Sequence, residues 1–239
     1  MDYEEWSPAV DTLIPSNYDM NKMAGKKICK QELQKTFNLP QRKDVPVIGL
    51  VGRLADQKGI SLLAEAIGGL LEMDIQIVLL GTGEKWAEHF FSHIASTYPE
   101  KFGTYIGYKN DLAHQIEAGS DFFLMPSLFE PCGLNQIYSL RYGTLPIVRA
   151  TGGLDDTIEN YEPYTGKGDG FKFYEASAEA LYGTVKWAVD TYYNDKKGMK
   201  QLIKNAMKKQ FSWEVAAKSY EEMYRYSITQ RFGVSIERN

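Results

Sequence analysis

The chain is poor in several things that would each point to a class of protein. It has two cysteines, Cys29 and Cys132, in 239 residues, too few for a disulfide framework and better suited to a reducing compartment. Positive charge is not in excess: the formal net charge is −4, so overall electrostatics give no support to a general role on nucleic acid or anionic membrane. No apolar run comes near the length of a membrane span. The opening, Met1-Asp2-Tyr3-Glu4-Glu5, is acidic and no apolar h-region follows it, so a signal peptide is not expected. Internal repeats and low-complexity stretches are also missing. The expectation is a soluble intracellular protein.

What is present is ordinary globular material, 44% hydrophobic and 24% charged, long enough for one large or two small domains. Residues 1–20 carry Pro8 and Pro15 with Trp6, Leu13 and Ile14 as scattered apolar anchors, and read as a segment leading in from something else. A helical pattern with Cys29, Leu33 and Phe37 follows and stops before Pro40. From Val45 the rhythm becomes strand, glycine loop, helix. Strands are expected at 47–52, 75–80, 104–106, 122–125, 144–148 and, after a glycine-rich change of character, 171–173. Between them lie helices, the first with Leu62, Leu63, Ala66, Ile67, Leu70 and Leu71 on one face, the second over about 84–98, and a short one capped by Asn110 or Asp111. Ser177 is expected to cap a helix. Two more follow over about 196–209 and 213–228, the second capped by Ser212, with a frayed tail from Thr229. Strands that are apolar throughout and alternate with helices imply an α/β fold, a Rossmann-like doubly wound parallel sheet covered on both faces.

Such sheets bind ligands at the carboxyl ends of their strands. The stretch Pro126–Gly143 leaves the fourth strand there and offers Glu130, Cys132, a glycine and a helix beginning near Leu134, whose free N–H groups suit phosphate. The first strand leaves through Gly52-Arg53-Leu54-Ala55-Asp56-Gln57-Lys58-Gly59. Two cations five positions apart can converge on one polyanion, Arg53 as a fork and Lys58 as a point charge. Neither a G-x-x-x-x-G-K-[ST] nor a G-x-G-x-x-G pattern is present. A diphosphate ester fits this inventory, with Glu130 bonding sugar hydroxyls and the positive groups steadying a departing diphosphate without a metal. Tyr108 can stack on a base or merely cover the sheet edge; Arg53 and Lys58 can equally be surface cations, and Glu130 a solvated loop residue. His89 and His93 have metal-pair spacing but no Cys or Asp close by, so no metal or cofactor is expected. Cys132 has no accompanying His and reads as a snug small residue. Asp155-Asp156 reads as a turn cap, and the lysines at 196, 197, 200, 204, 208 and 209 as a solvated helix face.

GRLADQKG, GTGE, EPCGLNQ, RYGTLPIVRATGGLDDT and FSWEVAAKSYEEMY together closely resemble bacterial and plant glycogen/starch synthases, from about Asp2 to Tyr226. The resemblance implies the C-terminal half of a two-domain GT-B glycosyltransferase, moving glucose with retention from ADP-glucose to the non-reducing 4-hydroxyl of an α-1,4-glucan. It implies that Arg53 and Lys58 hold the diphosphate, Glu130 faces the donor glucose, and backbone at Cys132 and Gly133 lies near its hydroxyls. The amides of Leu134 and Asn135 then meet phosphate and Tyr108 stacks on adenine. Tyr138 stands where related retaining transferases often carry a second glutamate, which the glycogen/starch synthase branch also tends to lack; Asn135 stands where threonine is frequent. The family's Lys-x-Gly-Gly loop is not found, since Ala150-Thr151-Gly152-Gly153 lacks the lysine. The implied division is 1–44 as interdomain lead-in and first helix, 45–210 as the nucleotide-sugar-binding domain, and 211–239 as a helix and tail returning toward a missing N-terminal domain, the isolated chain being inactive. The implied compartment is the cytoplasm, or a plastid in a plant or alga. A dinucleotide-binding oxidoreductase domain and a non-catalytic glucan-binding module are the other readings, and the residues alone do not separate adenine from uracil.

Overall fold

The computed structural model describes residues 3–233. Among them six strands form one sheet: β1 (Val47–Leu54), β2 (Gln76–Gly83), β3 (Phe102–Ile106), β4 (Phe122–Met125), β5 (Leu145–Arg149) and β6 (Phe171–Phe173). Their order is β3-β2-β1-β4-β5-β6, and every pairing is parallel. The helices are α1 (Ala24–Thr36), α2 (Ile60–Glu72), α3 (Lys85–Thr97), α4 (Asn110–Gly119), α5 (Asn135–Tyr142), α6 (Gly153–Thr157), α7 (Ala178–Asn194), α8 (Lys196–Lys208) and α9 (Trp213–Phe232). Contacts link α2 to α3 and α7, and separately run from α1 through α4 and α5 to α8, giving a layer of helices on each face. Burial from both sides is why the central strands lack polar alternation: Ile48, Ile77, Phe122, Phe123 and Ile147 are fully buried, each contributing about 1.5–3 kcal/mol.

β1 and β2 run further than their apolar cores. The ladder continues through Gly52↔Gly81, Arg53↔Thr82 and Leu54↔Gly83, so backbone pairing carries both strands past the point where burial ends. Ser177 caps α7 as expected, accepting from the Ala180 amide at 3.1 Å. Ser212 occupies the cap position of α9 without a capping bond to the helix backbone, its side chain instead meeting that of Glu214. Neither Asn110 nor Asp111 caps α4, which starts at Asn110 itself after Lys109. α9 continues through Thr229 to Phe232 and closes on Gly233 in the left-handed region, whose amide reaches the Thr229 carbonyl at 2.9 Å; the rest of the expected frayed tail, 234–239, lies outside the described residues. No residue of α9 is buried, and Trp213, Tyr220, Tyr224 and Phe232 are exposed.

The opening segment is tied down by polar and aromatic contacts. Trp6 stacks between the rings of His114 (3.7 Å) and Tyr138 (3.9 Å). Asp11 holds His114 Nδ1 at 2.8 Å and accepts from the Tyr142 hydroxyl at 2.5 Å. Ile14 is buried as an anchor, whereas Leu13 is exposed.

Two buried ionisable groups lie where α4, α5 and α1 meet. Burial pushes the Glu117 carboxyl up to about 8 from 4.5, against the opposing pull of the Ser139 hydroxyl, which donates to it at 2.7 Å. Burial also pulls the Lys26 ammonium down to about 8, although it donates to the carbonyls of Ala118 and Tyr142 (3.1 Å each) and to Thr144 Oγ1 (2.7 Å). The folded chain keeps a proton on Glu117 that the unfolded chain releases near 4.5. Stability from this group is therefore full below that pH and is lost as the pH rises toward about 8. Glu117→Gln, a neutral isostere, should gain at least about 3 °C in melting temperature over the native chain at pH 8 relative to the difference at pH 5. Parallel pH–melting curves for the two proteins would reject this.

Candidate functional site

β1 and β4 lie side by side, and the helices that follow them, α2 and α5, leave to opposite faces. That is the switch point at which an open α/β sheet forms a crevice. A cavity of about 330 Å³ opens there, bordered by Gly52, Arg53, Lys58, Glu130, Leu134 and Asn135.

The lysine side is a 3-10 turn over Asp56–Lys58 that ends on Gly59 with φ +70°. A Cβ on Gly59 would lie 1.9 Å from the Pro126 carbonyl oxygen, so glycine alone lets the two loops close. They are then bonded together: the Leu128 amide donates to the Gln57 carbonyl at 2.9 Å, and the Gln57 side-chain amide to the Phe129 carbonyl at 3.1 Å. The result sets Lys58 Nζ 2.5 Å from Glu130 Oε2. Glu130 is 7% exposed, with the Ser127 hydroxyl a further 3.4 Å from the same oxygen. A buried carboxylate needs such a cation.

The opposite side is the first turn of α5, whose leading amides have no partner within the helix. Asn135 anchors this turn across the switch point, its side-chain amide donating to the Val51 carbonyl at 2.8 Å. Gln136 folds the preceding turn back, donating to the carbonyls of Cys132 (2.9 Å) and Gly133 (3.1 Å). From β5, Arg149 Nε donates to the Ser127 carbonyl at 2.8 Å, and the same guanidinium reaches the Leu128 carbonyl. Behind the loop the Gly153 amide donates to the Glu130 carbonyl at 3.0 Å. A Cβ on Gly152 would lie 2.4 Å from that carbonyl oxygen.

Of the expected site residues the fold brings Arg53, Lys58, Glu130, Gly133, Leu134 and Asn135 to one cavity. Glu130 is a buried, paired group and not a solvated one. Arg53 is exposed, with its guanidinium 3.5 Å from Gln57 Oε1. Tyr108 stands outside the cavity lining, 78% exposed beyond β3, its hydroxyl 3.3 Å from Asn110 Oδ1. Cys132 is exposed, contrary to its reading as a snugly packed residue, because the Gln136 bonds turn its carbonyl inward and leave the thiol outside. His89 and His93 are exposed on α3, and no group of three potential ligands for a metal occurs among the described residues. Asp155 pairs with Lys172 Nζ at 2.5 Å. The side chains of Arg149, Gln136 and Asn135 were not foreseen as loop holders; an arginine ending an otherwise apolar strand is the one signal that could have marked Arg149. Chemically, two cations and a helix N-terminus facing one buried carboxylate can hold a phosphate-bearing group beside a hydroxyl-rich one.

The family described as Glycosyl transferases group 1 matches residues 31–209. Glycogen synthase 1 of Geobacter sulfurreducens is 57% identical over 236 residues, 99% of this chain and 47% of that protein. A glycogen synthase of Pseudothermotoga lettingae is 47% identical over 231 residues, 97% of this chain and 48% of that one. The chain thus spans about half the length of the relatives it matches. Among solved structures, the catalytic domain of starch synthase IV from Arabidopsis thaliana bound to ADP and acarbose matches with TM-score 0.87 at 33% identity, covering 96% of this chain and 48% of that one. The C-terminal domain of a group 1 glycosyl transferase from Francisella tularensis matches in fold alone, with TM-score 0.56 at 16% identity over 80% of this chain and 92% of that one.

Proposed function

The chain belongs to the group 1 glycosyl transferases, and from that premise we propose that it is the donor-binding, C-terminal half of a GT-B glycogen/starch synthase. The observation that carries the reading is the Lys58–Glu130 pair, 2.5 Å apart at the switch point and beside the first turn of α5. The donor is ADP-glucose. Lys58 and Arg53 hold its diphosphate with the amides of Leu134 and Asn135, Glu130 faces the glucose, and the backbone of Cys132 and Gly133 borders its hydroxyls. Tyr108 stacks on the adenine. Glucose passes with retention to the non-reducing 4-hydroxyl of an α-1,4-glucan, and the cations and the α5 terminus stabilise charge growing on the departing diphosphate. The names of the relatives and the ADP and acarbose in the starch synthase structure support this choice of donor and acceptor class.

The relatives are about twice as long, and we assign the other wall of the cleft to sequence that this chain does not cover. One wall alone does not exclude water from the leaving group, so this chain binds donor without turning it over. The segment 1–44 then serves as lead-in, 45–210 as the nucleotide-sugar domain, and 211–239, with its unburied α9, as the element that meets the other half. We assign the working enzyme to the cytoplasm.

Calorimetric titration of the chain with ADP, ADP-glucose and UDP tests the reading. ADP and ADP-glucose should bind, with UDP at least about tenfold weaker. Tyr108→Ala should weaken ADP by about tenfold, the scale of one base–aromatic stack, and leave inorganic pyrophosphate unchanged. Tighter binding of UDP than of ADP would overturn the donor assignment. Glycogen binding that survives Glu130→Ala and ignores ADP would move the reading to a glucan-binding module. NADH binding without competition by ADP-glucose would move it to an oxidoreductase domain.

A further inference from the structure

A second and larger cavity, about 880 Å³, lies at the other end of the sheet. Its lining includes Lys26, Lys27 and Lys30 from α1, Lys43 from the loop before β1, and Lys200 and Lys204 from α8, against a single acidic side chain, Asp121. Asp121 immediately precedes β4, whereas Glu130 follows it, so the length of that strand separates this cavity from the donor site.

Six lysines around one cavity contrast with a chain whose net charge is −4. Two of them are satisfied internally. Lys30 pairs with Asp121 at 2.6 Å, and Lys26 is buried against the carbonyls of Ala118 and Tyr142. Lys27, Lys43, Lys200 and Lys204 are exposed, and none is in an ion pair among the described residues. Ammonium groups gathered this way repel one another until an anion enters, and a concave site with low-dielectric walls strengthens that attraction. The rest of the lining mixes apolar groups, Met20, Met23, Ile203 and the Tyr192 ring, with the neutral polar Asn21 and Gln31. The protein as a whole is acidic, which disfavours an extended polyanion such as nucleic acid.

We propose that this cavity binds a small phosphorylated organic molecule, its phosphate among Lys27, Lys43, Lys200 and Lys204 and its carbon-rich body against Met20, Met23, Ile203 and Tyr192. Lysine serves here as a mobile point charge for phosphate. The inference is independent of the donor reading, because no lining residue is shared between the two cavities.

Calorimetry on the 239-residue chain with phenyl phosphate and with inorganic phosphate provides the test. Phenyl phosphate should saturate, and inorganic phosphate should bind at least about fivefold more weakly, because it lacks the apolar contact. The double charge reversal Lys200→Glu/Lys204→Glu should weaken phenyl phosphate at least about tenfold, and Lys27→Glu should weaken it through the other wall. All three positions are exposed, and melting temperatures should stay near that of the native chain. Lys58→Ala should leave phenyl phosphate binding unchanged. The proposal is overturned by absence of saturable binding, by equal affinity for the two probes, or by affinity that follows Lys58 and ignores Lys200 and Lys204. Cosedimentation with phosphatidylglycerol vesicles, without binding of phenyl phosphate, would replace it with a lipid surface.

Discussion

Lys58→Ala should weaken ADP binding by at least about 30-fold, the lower end of what removing one partner of a buried charge pair costs. Two losses combine. The diphosphate loses a cation, and Glu130, buried and held at 2.5 Å by Lys58, becomes an unpaired negative group facing an incoming anion. Arg53→Ala should cost only a few-fold by comparison, since Arg53 is exposed and held by one 3.5 Å contact. The same loss of pairing should lower the melting temperature of Lys58→Ala. Adding Glu130→Gln to Lys58→Ala separates the two effects: melting temperature should recover, while ADP affinity returns only in part because the cation is still missing. Titrations in which neither Arg53→Ala nor Lys58→Ala changes ADP affinity would end the phosphate assignment.

Gly59→Ala should be among the most damaging single changes in the chain, lowering stability by about 3 kcal/mol or more and melting temperature by roughly 6–12 °C. A left-handed backbone costs a Cβ-bearing residue about 1–2 kcal/mol. The new methyl carbon would also stand 1.9 Å from the Pro126 carbonyl oxygen, so the turn carrying Lys58 or the loop carrying Glu130 has to move. ADP binding should fall with stability. Gly68→Ala is the control: it lies exposed within α2, with nothing within 4 Å of the added Cβ, and should stabilise by about 0.5–1 kcal/mol. A Gly59→Ala protein melting within a degree of the native chain would show that the two loops are not locked as described.

The sheet was legible in the sequence because its central strands are buried on both faces and so are written as apolar runs; Phe122-Phe123-Leu124-Met125 is the plainest case. Strand ends were less legible, since β1 and β2 continue on backbone pairing through Gly52, Gly81 and Gly83, where no apolar side chain marks them. The two loops of the site could be assigned to one sheet edge from topology. That Lys58 meets Glu130 could not, because contact between residues 72 apart depends on the Gly59–Pro126 approach. Arg149 escaped for a similar reason: it holds carbonyls of Ser127 and Leu128, and backbone acceptors leave no trace in a sequence. The lysines of α8 read as a solvated face because helical period reports only the side they occupy. The lysines of α1, 170 or so positions earlier, complete the second cavity.

The position of β1 in the sheet bears on how the chain assembles as it is synthesised. β1 is central, with β2 on one side and β4 on the other. The first link across its second edge joins Val47 to Asp121, 74 residues apart. At ordinary synthesis rates that gap takes roughly 4–15 s to emerge. For that interval an apolar strand, Val47-Ile48-Gly49-Leu50, has one open edge, the kind of template that recruits other chains. Chains of all 239 residues released together should therefore refold with less aggregation than nascent chains stalled before Phe122, and a ribosome-associated chaperone would find its work concentrated on that window.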